Sequence, residues 1–279
     1  MKKIKATVLC ENSVFFKVGA LAEHGWAVYI ETAYGNYLFD TGQGKAIINN
    51  ANYFQKDLFT LKGIIISHHH NDHTGGISKV LNYTGRIRIY SHPGLFKKSY
   101  VKEKEGSYRY IGIPFCHELL ESQGAKLSFN TEPKEIFPGL ILSGEIPRET
   151  SFEKGDKDLF IIDKNGDYIK DQMLDDQTLI ANTDRGLVII LGCSHAGIVN
   201  IINHAIRITG IERIHSIIGG THLDLASEET RKKTIESLKN YDIEKIGVSH
   251  CTGLETSLKL YKEFGNNFFF CNVGSQIEV

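Results

Sequence analysis

The sequence predicts an α/β sandwich, sheets inside and helices outside, on three observations. Short apolar runs of strand length recur in the first ninety and the last hundred residues, helical patterns separate them in the C-terminal part, and residues 92–177 between follow neither a period of 2 nor one of 3.6. In the N-terminal part the runs are 4–10, 26–31, 37–40, 63–67 and 86–91. The first three lie close enough for hairpins, and residues 74–82 can form a crossover helix that makes the last two parallel neighbours, hence a mixed sheet. In the C-terminal part strands are expected at 178–183, 187–192, 213–218, 243–248 and 267–271, with helices at 197–209, 227–240 and 253–264. Residues 92–177 are too long for a structureless connection in a compact domain. They are read as a substrate-side insertion within one domain spanning 1–279.

Composition narrows the function classes. Hydrophobic residues make up 41% and charged residues 23% of the 279, enough apolar matter for a core and too little charge for disorder. Lys+Arg of 32 against Asp+Glu of 33 leaves a net charge of -1, which sets up no field for nucleic acid or an anionic membrane, and there is no long basic run. No apolar stretch approaches the ~20 residues of a membrane span, and no apolar h-region follows the first lysines. The five cysteines are widely spaced without a Cys-x-x-Cys pair, so a reducing cytoplasm is the simplest location. A small-molecule substrate is the expected partner, and the oligomeric state is left open.

The informative feature is that four apolar runs each end in a histidine: GIIISHHHNDHTGG, GLVIILGCSHAGIVN, IHSIIGGTHLD and EKIGVSHCTGLET. Side chains that build a site in an α/β sheet project from loops at the C-terminal ends of strands. His68 with its cluster, His195, His222 and His250 are therefore expected to converge on one edge. Within the cluster, alternate residues of an extended segment share a face, so His68 and His70 can hold one ion while Asp72 and His73, at the turn, reach a second. His69 and Asn71 should point elsewhere. Imidazole and carboxylate together suit a divalent transition metal.

The run His68-His69-His70-Asn71-Asp72-His73, after an apolar strand and before Thr74-Gly75-Gly76, resembles the H-x-H-x-D-H signature of the metallo-β-lactamase superfamily. Asp40 in LFDTG, His195 in GCSHAG and His250 in VSHCTG fall in the order that superfamily shows. Through GEIPR (144–148), DDQTL (175–179), GCSHAGIVN (192–200), GGTHL (219–223) and HCTG (250–253) the chain is similar to the branch of dihydropterin–aminobenzene ribofuranosyl phosphate synthases and their bacterial relatives. The resemblance implies a four-layer αβ/βα sandwich of two mixed β-sheets flanked by helices. It implies that His68, His70 and His195 hold one divalent ion and Asp72, His73 and His250 a second, zinc first, with manganese or iron as alternatives. Where many superfamily hydrolases carry an aspartate bridging both ions, this chain has His222, and an imidazole has one lone pair and cannot bridge as a carboxylate does. His222 is then a ligand of one ion or, preferred here, the proton donor to a leaving group.

The expected activity is hydrolysis of an ester, phosphoester or similar small molecule by a hydroxide that the ions generate, with Asp72 orienting it and His222 supplying a proton. The synthase-like branch implies an alternative, condensation of a dihydropterin pyrophosphate with an aminobenzene ribofuranosyl phosphate. A non-catalytic, metal-dependent ligand-binding protein is the second alternative. Glu145, Arg148 and His92 are candidate substrate contacts, the guanidinium fork suiting a phosphate or carboxylate. Asp40 is read as closing a turn and hydrogen-bonding a ligand histidine. Cys193 and Cys251 lie beside proposed ligands, but with six nitrogen and oxygen donors assigned they are read as small packing residues. His24, His117, His204 and His215 are read as structural or surface residues, and the run Lys97–Glu105 as a solvated face.

Overall fold

A computed structural model describes residues 3–279. In chain order the strands of the first part are β1 (Ile4–Cys10), β2 (Ala27–Thr32), β3 (Gly35–Phe39), β4 (Leu61–Ile65) and β5 (Ile87–Ser91). The middle holds β6 (Ser99–Lys102), β7 (Tyr108–Tyr110), β8 (Ala125–Phe129), β9 (Lys134–Phe137), β10 (Leu140–Leu142), β11 (Leu159–Ile162) and β12 (Tyr168–Lys170). The last part holds β13 (Leu179–Thr183), β14 (Gly186–Ile190), β15 (Ile214–Gly220), β16 (Ile243–Ser249), β17 (Phe268–Phe270) and β18 (Gln276–Glu278). The helices are α1 (Ile47–Tyr53), α2 (Asn71–Thr74), α3 (Ile77–Thr84), α4 (His117–Ser122), α5 (Ile198–Thr209), α6 (Glu228–Leu238) and α7 (Leu254–Phe264).

Two seven-stranded sheets form the centre, in the orders β18-β1-β2-β3-β4-β5-β8 and β17-β16-β15-β14-β13-β10-β9. Both are mixed: β1, β2 and β3 pair antiparallel as hairpins, whereas β3, β4, β5 and β8 run parallel. In the second sheet β14 through β17 are parallel and β13, β10 and β9 antiparallel. Alternation along single strands builds the layers. Val188 and Ile190 of β14 enter the core between the sheets with Val8, Ile30 and Phe39, while Leu187, Ile189 and Leu191 pack with Ile198, Ile201 and Ile202 of α5. On the other outer face Leu9, Tyr29 and Ile64 pack with Ile47, Ile77 and Val80 of α1 and α3. The expected four-layer sandwich is the observed one.

Sequence periodicity anticipates the strands and helices of both ends to within a few residues, but not α1 or β18. Of 92–177, β8 extends the first sheet and β9 with β10 the second, whereas β6, β7, β11 and β12 make a separate four-stranded sheet in the order β12-β11-β6-β7. Lys97, expected on a solvated face, enters that sheet's base, 2.8 Å from Asp171 and 2.6 Å from Asp175. Among the described residues no helix is long and apolar enough to cross a membrane.

One close approach positions the site. Gly76, at the start of α3, packs its Cα against the Thr41 carbonyl, and a Cβ there would collide with that oxygen. Its N–H bonds Gly42 O and Thr41 Oγ1, both at 3.1 Å. Gly76→Ala should therefore lower stability by about 1–3 kcal/mol through overpacking. Urea denaturation with an unchanged midpoint would refute this.

Candidate metal centre

The donors collect where the strands predicted. His68 and His70 lie between β4 and α2 and His73 within α2, His195 follows β14, His222 follows β15, and His250 follows β16. Asp40, Ser194, His222 and His250, each past a strand end, have φ of 57°, 62°, 52° and 50°, the left-handed region that L residues adopt at a cost of about 1–2 kcal/mol each. The parallel ladders and the hydrogen bonds around these turns hold that strain.

The structure brings the first expected group together. His68 Nε2 is 3.1 Å from His70 Nδ1, and the His195 ring lies 5.0 Å from both of theirs. Burial, then the neighbouring imidazoles, lowers the pKa of His68 and His195 well below the usual value, and burial does the same to His70. Neutral rings in contact have lone pairs to offer. Both ring nitrogens of His195 and Nε2 of His70 are buried with no hydrogen-bond partner, a costly arrangement that a bound cation would relieve.

The second group is assembled around Asp72. Its Oδ2 is 3.2 Å from His250 Nε2, 3.9 Å from His73 Nε2 and 3.2 Å from Nε2 of the exposed His24. Burial opposes the Asp72 carboxylate, but His73, His24 and His250 outweigh it and hold its pKa well below the carboxylate range. The far nitrogens are spoken for: His73 Nδ1 is 2.7 Å from Asp40 Oδ2, and His250 Nδ1 is 2.9 Å from Asn12 Oδ1. Such partners put the proton on Nδ1 and leave Nε2 as the donor to an ion. Asp40, fully buried, also accepts from Ser67 N–H at 2.8 Å and Ser67 Oγ–H at 2.7 Å. Ser67 Oγ then faces His68 Nδ1 at 2.9 Å, so one carboxylate steadies histidines of both groups. These donors fit divalent ions.

His222 stands beside the first group, its ring 4.1 Å from that of His195 and its Nε2 3.1 Å from Asp156 Oδ2. Burial disfavours the charged ring, yet the Asp156 hydrogen bond and the Cys251 sulfur push it up to about 10. Its Nδ1 is buried without a partner. His69 points away, as expected, with Nδ1 2.6 Å from Asp175.

The substrate candidates sit otherwise than as free contacts. His92 Nε2 is 3.0 Å from Glu145 Oε1, and its Nδ1 accepts from Gly94 N–H at 2.9 Å. Arg148 donates to the carbonyls of His195 at 2.9 Å, Gln172 at 2.6 Å and Met173 at 3.3 Å. Its fork is engaged by backbone and clamps the His195 loop. Glu145 and Arg148 nonetheless line a cavity of about 430 Å³ with Thr131, Leu174 and His204.

Four residues that sequence reasoning did not assign to the site lie against it. Cys193, read as packing, has Sγ 3.1 Å from His73 Nε2, inside the site. Cys251 lies with Cys193 and His222, their donor atoms within 4.8 Å of one another. His24, read as structural or surface, joins Asp72 and His250 within the same span. Asp156, in the aperiodic segment, pairs with His222. Only the cysteines carried a signal, their adjacency to His195 and His250.

Asp176 supplies a pH test. Burial, outweighing the Ala196 N–H bond and Arg148, pushes this carboxyl up to about 7. A carboxyl raised in the folded state adds stability that is full below its unfolded pKa of ~3.9 and is lost as pH rises through the folded value. In chelator-treated protein, Asp176→Asn should therefore gain on the parent as pH climbs from about 4 to about 7, by about 1.4 kcal/mol for each pH unit. Parallel melting curves across that range would exclude it.

The metallo-β-lactamase superfamily model matches residues 21–171. Over 283 aligned positions the chain is 31% identical to the 7,8-dihydropterin-6-methyl-4-(β-D-ribofuranosyl)-aminobenzene-5'-phosphate synthase of Methanocaldococcus jannaschii, covering 99% of this chain and 96% of that protein. A crystal structure described as a metal-dependent hydrolase of the β-lactamase superfamily superposes with a TM-score of 0.85 at 29% identity over 99% of both chains.

Proposed function

Because the chain belongs to the metallo-β-lactamase superfamily, we propose that it is a metal-dependent hydrolase of an ester, phosphoester or similar small molecule. The observation that carries this is the gathering of His68, His70 and His195 beside Asp72, His73 and His250, with the Asp156–His222 pair alongside. Divalent ions held there, zinc or a similar metal, would supply Lewis acidity and a water acidic enough to lose its proton near neutral pH. Asp72 would help hold an ion and orient that water by a hydrogen bond, with His24 Nε2 3.2 Å from its Oδ2. Asp156 orients His222 through its hydrogen bond and favours its protonated form, the form that would hand a proton to a leaving oxygen. Arg148 fixes the backbone that presents His195.

Full-length likeness to a synthase supports a second reading, in which the same residues bind a pyrophosphate leaving group while an arene attacks. One experiment separates the readings. Metal-reloaded protein is offered an ester and phosphoester panel, then a dihydropterin pyrophosphate with and without an aminobenzene ribofuranosyl phosphate. Chelator-sensitive release of acid, phosphate or the free hydroxymethyl pterin supports hydrolysis, and a condensed product supports transfer. Tight binding without conversion of any compound would overturn both in favour of a ligand-binding protein.

A further inference from the structure

The donor set described so far is short of negative charge. Five of its six members are imidazoles, and Asp72 alone brings a formal charge against two dications. The loop 219–223, GGTHL, presents His222 where a group able to join two ions is needed, and an imidazole nitrogen has a single lone pair to give.

Cys193 lies between the two groups. Its Sγ is within 4.8 Å of donor nitrogens of His68 and His195 on one side, and within 4.8 Å of those of His73 and His250 on the other. Donors sharing one tetrahedral zinc at about 2.0–2.3 Å stand roughly 3.3–3.7 Å apart, so each group needs only a modest contraction about an ion. The carboxylate of Asp40 holds the His73 Nδ1 side, so the nitrogen that faces Sγ, at 3.1 Å, is Nε2, the one an ion would take. Independently, His195 offers two buried ring nitrogens with no protein partner. Cys251 belongs to neither imidazole pair, since its donor group contains only Cys193 and His222.

We infer that Cys193 is a ligand common to both ions, its thiolate sulfur bridging the His68–His70–His195 group to the Asp72–His73–His250 group. The inference rests on the metal reading above and deepens it. Loading releases the S–H proton to solvent, and the ligand charge goes from one negative to two. A soft thiolate also favours zinc over manganese.

Cobalt(II) titration of chelator-stripped protein tests this without any assay of turnover. The parent chain should bind two equivalents, with a thiolate-to-cobalt charge-transfer band in the near ultraviolet that grows through both. Cys193→Ser should lose the band and bind about one equivalent fewer. Cys193→Asp, which restores an anionic bridge, should return to two equivalents with no band, and Cys251→Ser should keep both ions and the band. Circular dichroism of each stripped variant checks that it is folded. Two cobalt ions bound by the parent without a charge-transfer band, or a band that survives in Cys193→Ser, would overturn the bridge. A parent chain that binds no cobalt would overturn the metal reading itself, and the bridge with it.

Discussion

A His70→Ala chain is expected to carry about one metal ion fewer than its parent and to lose turnover by ~10³-fold or more, the scale of several kcal/mol of transition-state stabilisation. His70 Nδ1 faces His68 Nε2 at 3.1 Å, and its ring packs 5.0 Å from that of His195. Alanine removes one of the three donors of the first group and leaves the other two with too few partners to close a coordination shell. Elemental analysis of protein purified without chelator, beside an assay on whichever substrate the panel identifies, measures both effects. Full activity in the variant would sink the metal-dependent mechanism. Melting curves of the two stripped proteins show whether any loss comes from unfolding.

The largest effect on stability is expected at Asp40. Asp40→Ala strips the acceptor from three buried donors, Ser67 N–H, Ser67 Oγ–H and His73 Nδ1–H, each now within 2.8 Å of the carboxylate. Unpaired buried donors cost about 1–3 kcal/mol apiece. A loss of roughly 3–9 kcal/mol follows, a large part of a typical domain's stability. Asp40→Asn should separate folding from metal binding. Asparagine tolerates the left-handed backbone and still accepts from Ser67, so stability falls less. Its amide N–H facing His73 favours the proton on Nε2, and metal affinity should drop about 10–100-fold. Denaturation of the stripped proteins and chelator competition on the loaded ones measure the two losses. Equal losses from Ala and Asn in both experiments would contradict this role for Asp40.

What could be read from the sequence was whatever leaves a periodic trace. Strands such as Gly186–Ile190 alternate between two apolar layers, and helices such as Ile198–Thr209 follow a single face, so both ends of the chain were legible. Histidines at strand ends were legible for the same reason, because topology brings strand ends together. Residues 92–177 were not, since short strands there join three different sheets and their pairing is set by distant partners. Asp156 and Asp171 lie in that stretch and Asp175 at its end, so nothing local tied them to His222 or His69. Arg148 looked like an anion fork because a sequence cannot show which carbonyls will need a donor. Cys193 reads as packing once six nitrogen and oxygen donors are counted, because a count of donors takes no notice of charge.

Each donor group draws on both halves of the chain. His68, His70 and His73 hang from the first sheet, and His195 and His250 from the second. Any ion held between them acts as a rivet through the seam, and neither half can come away while it is in place. Unfolding is then coupled to the free concentration of that ion, by about 2.7 kcal/mol at a hundredfold excess over its Kd. The protein's lifetime in a cell, and not only its activity, would rise and fall with metal supply.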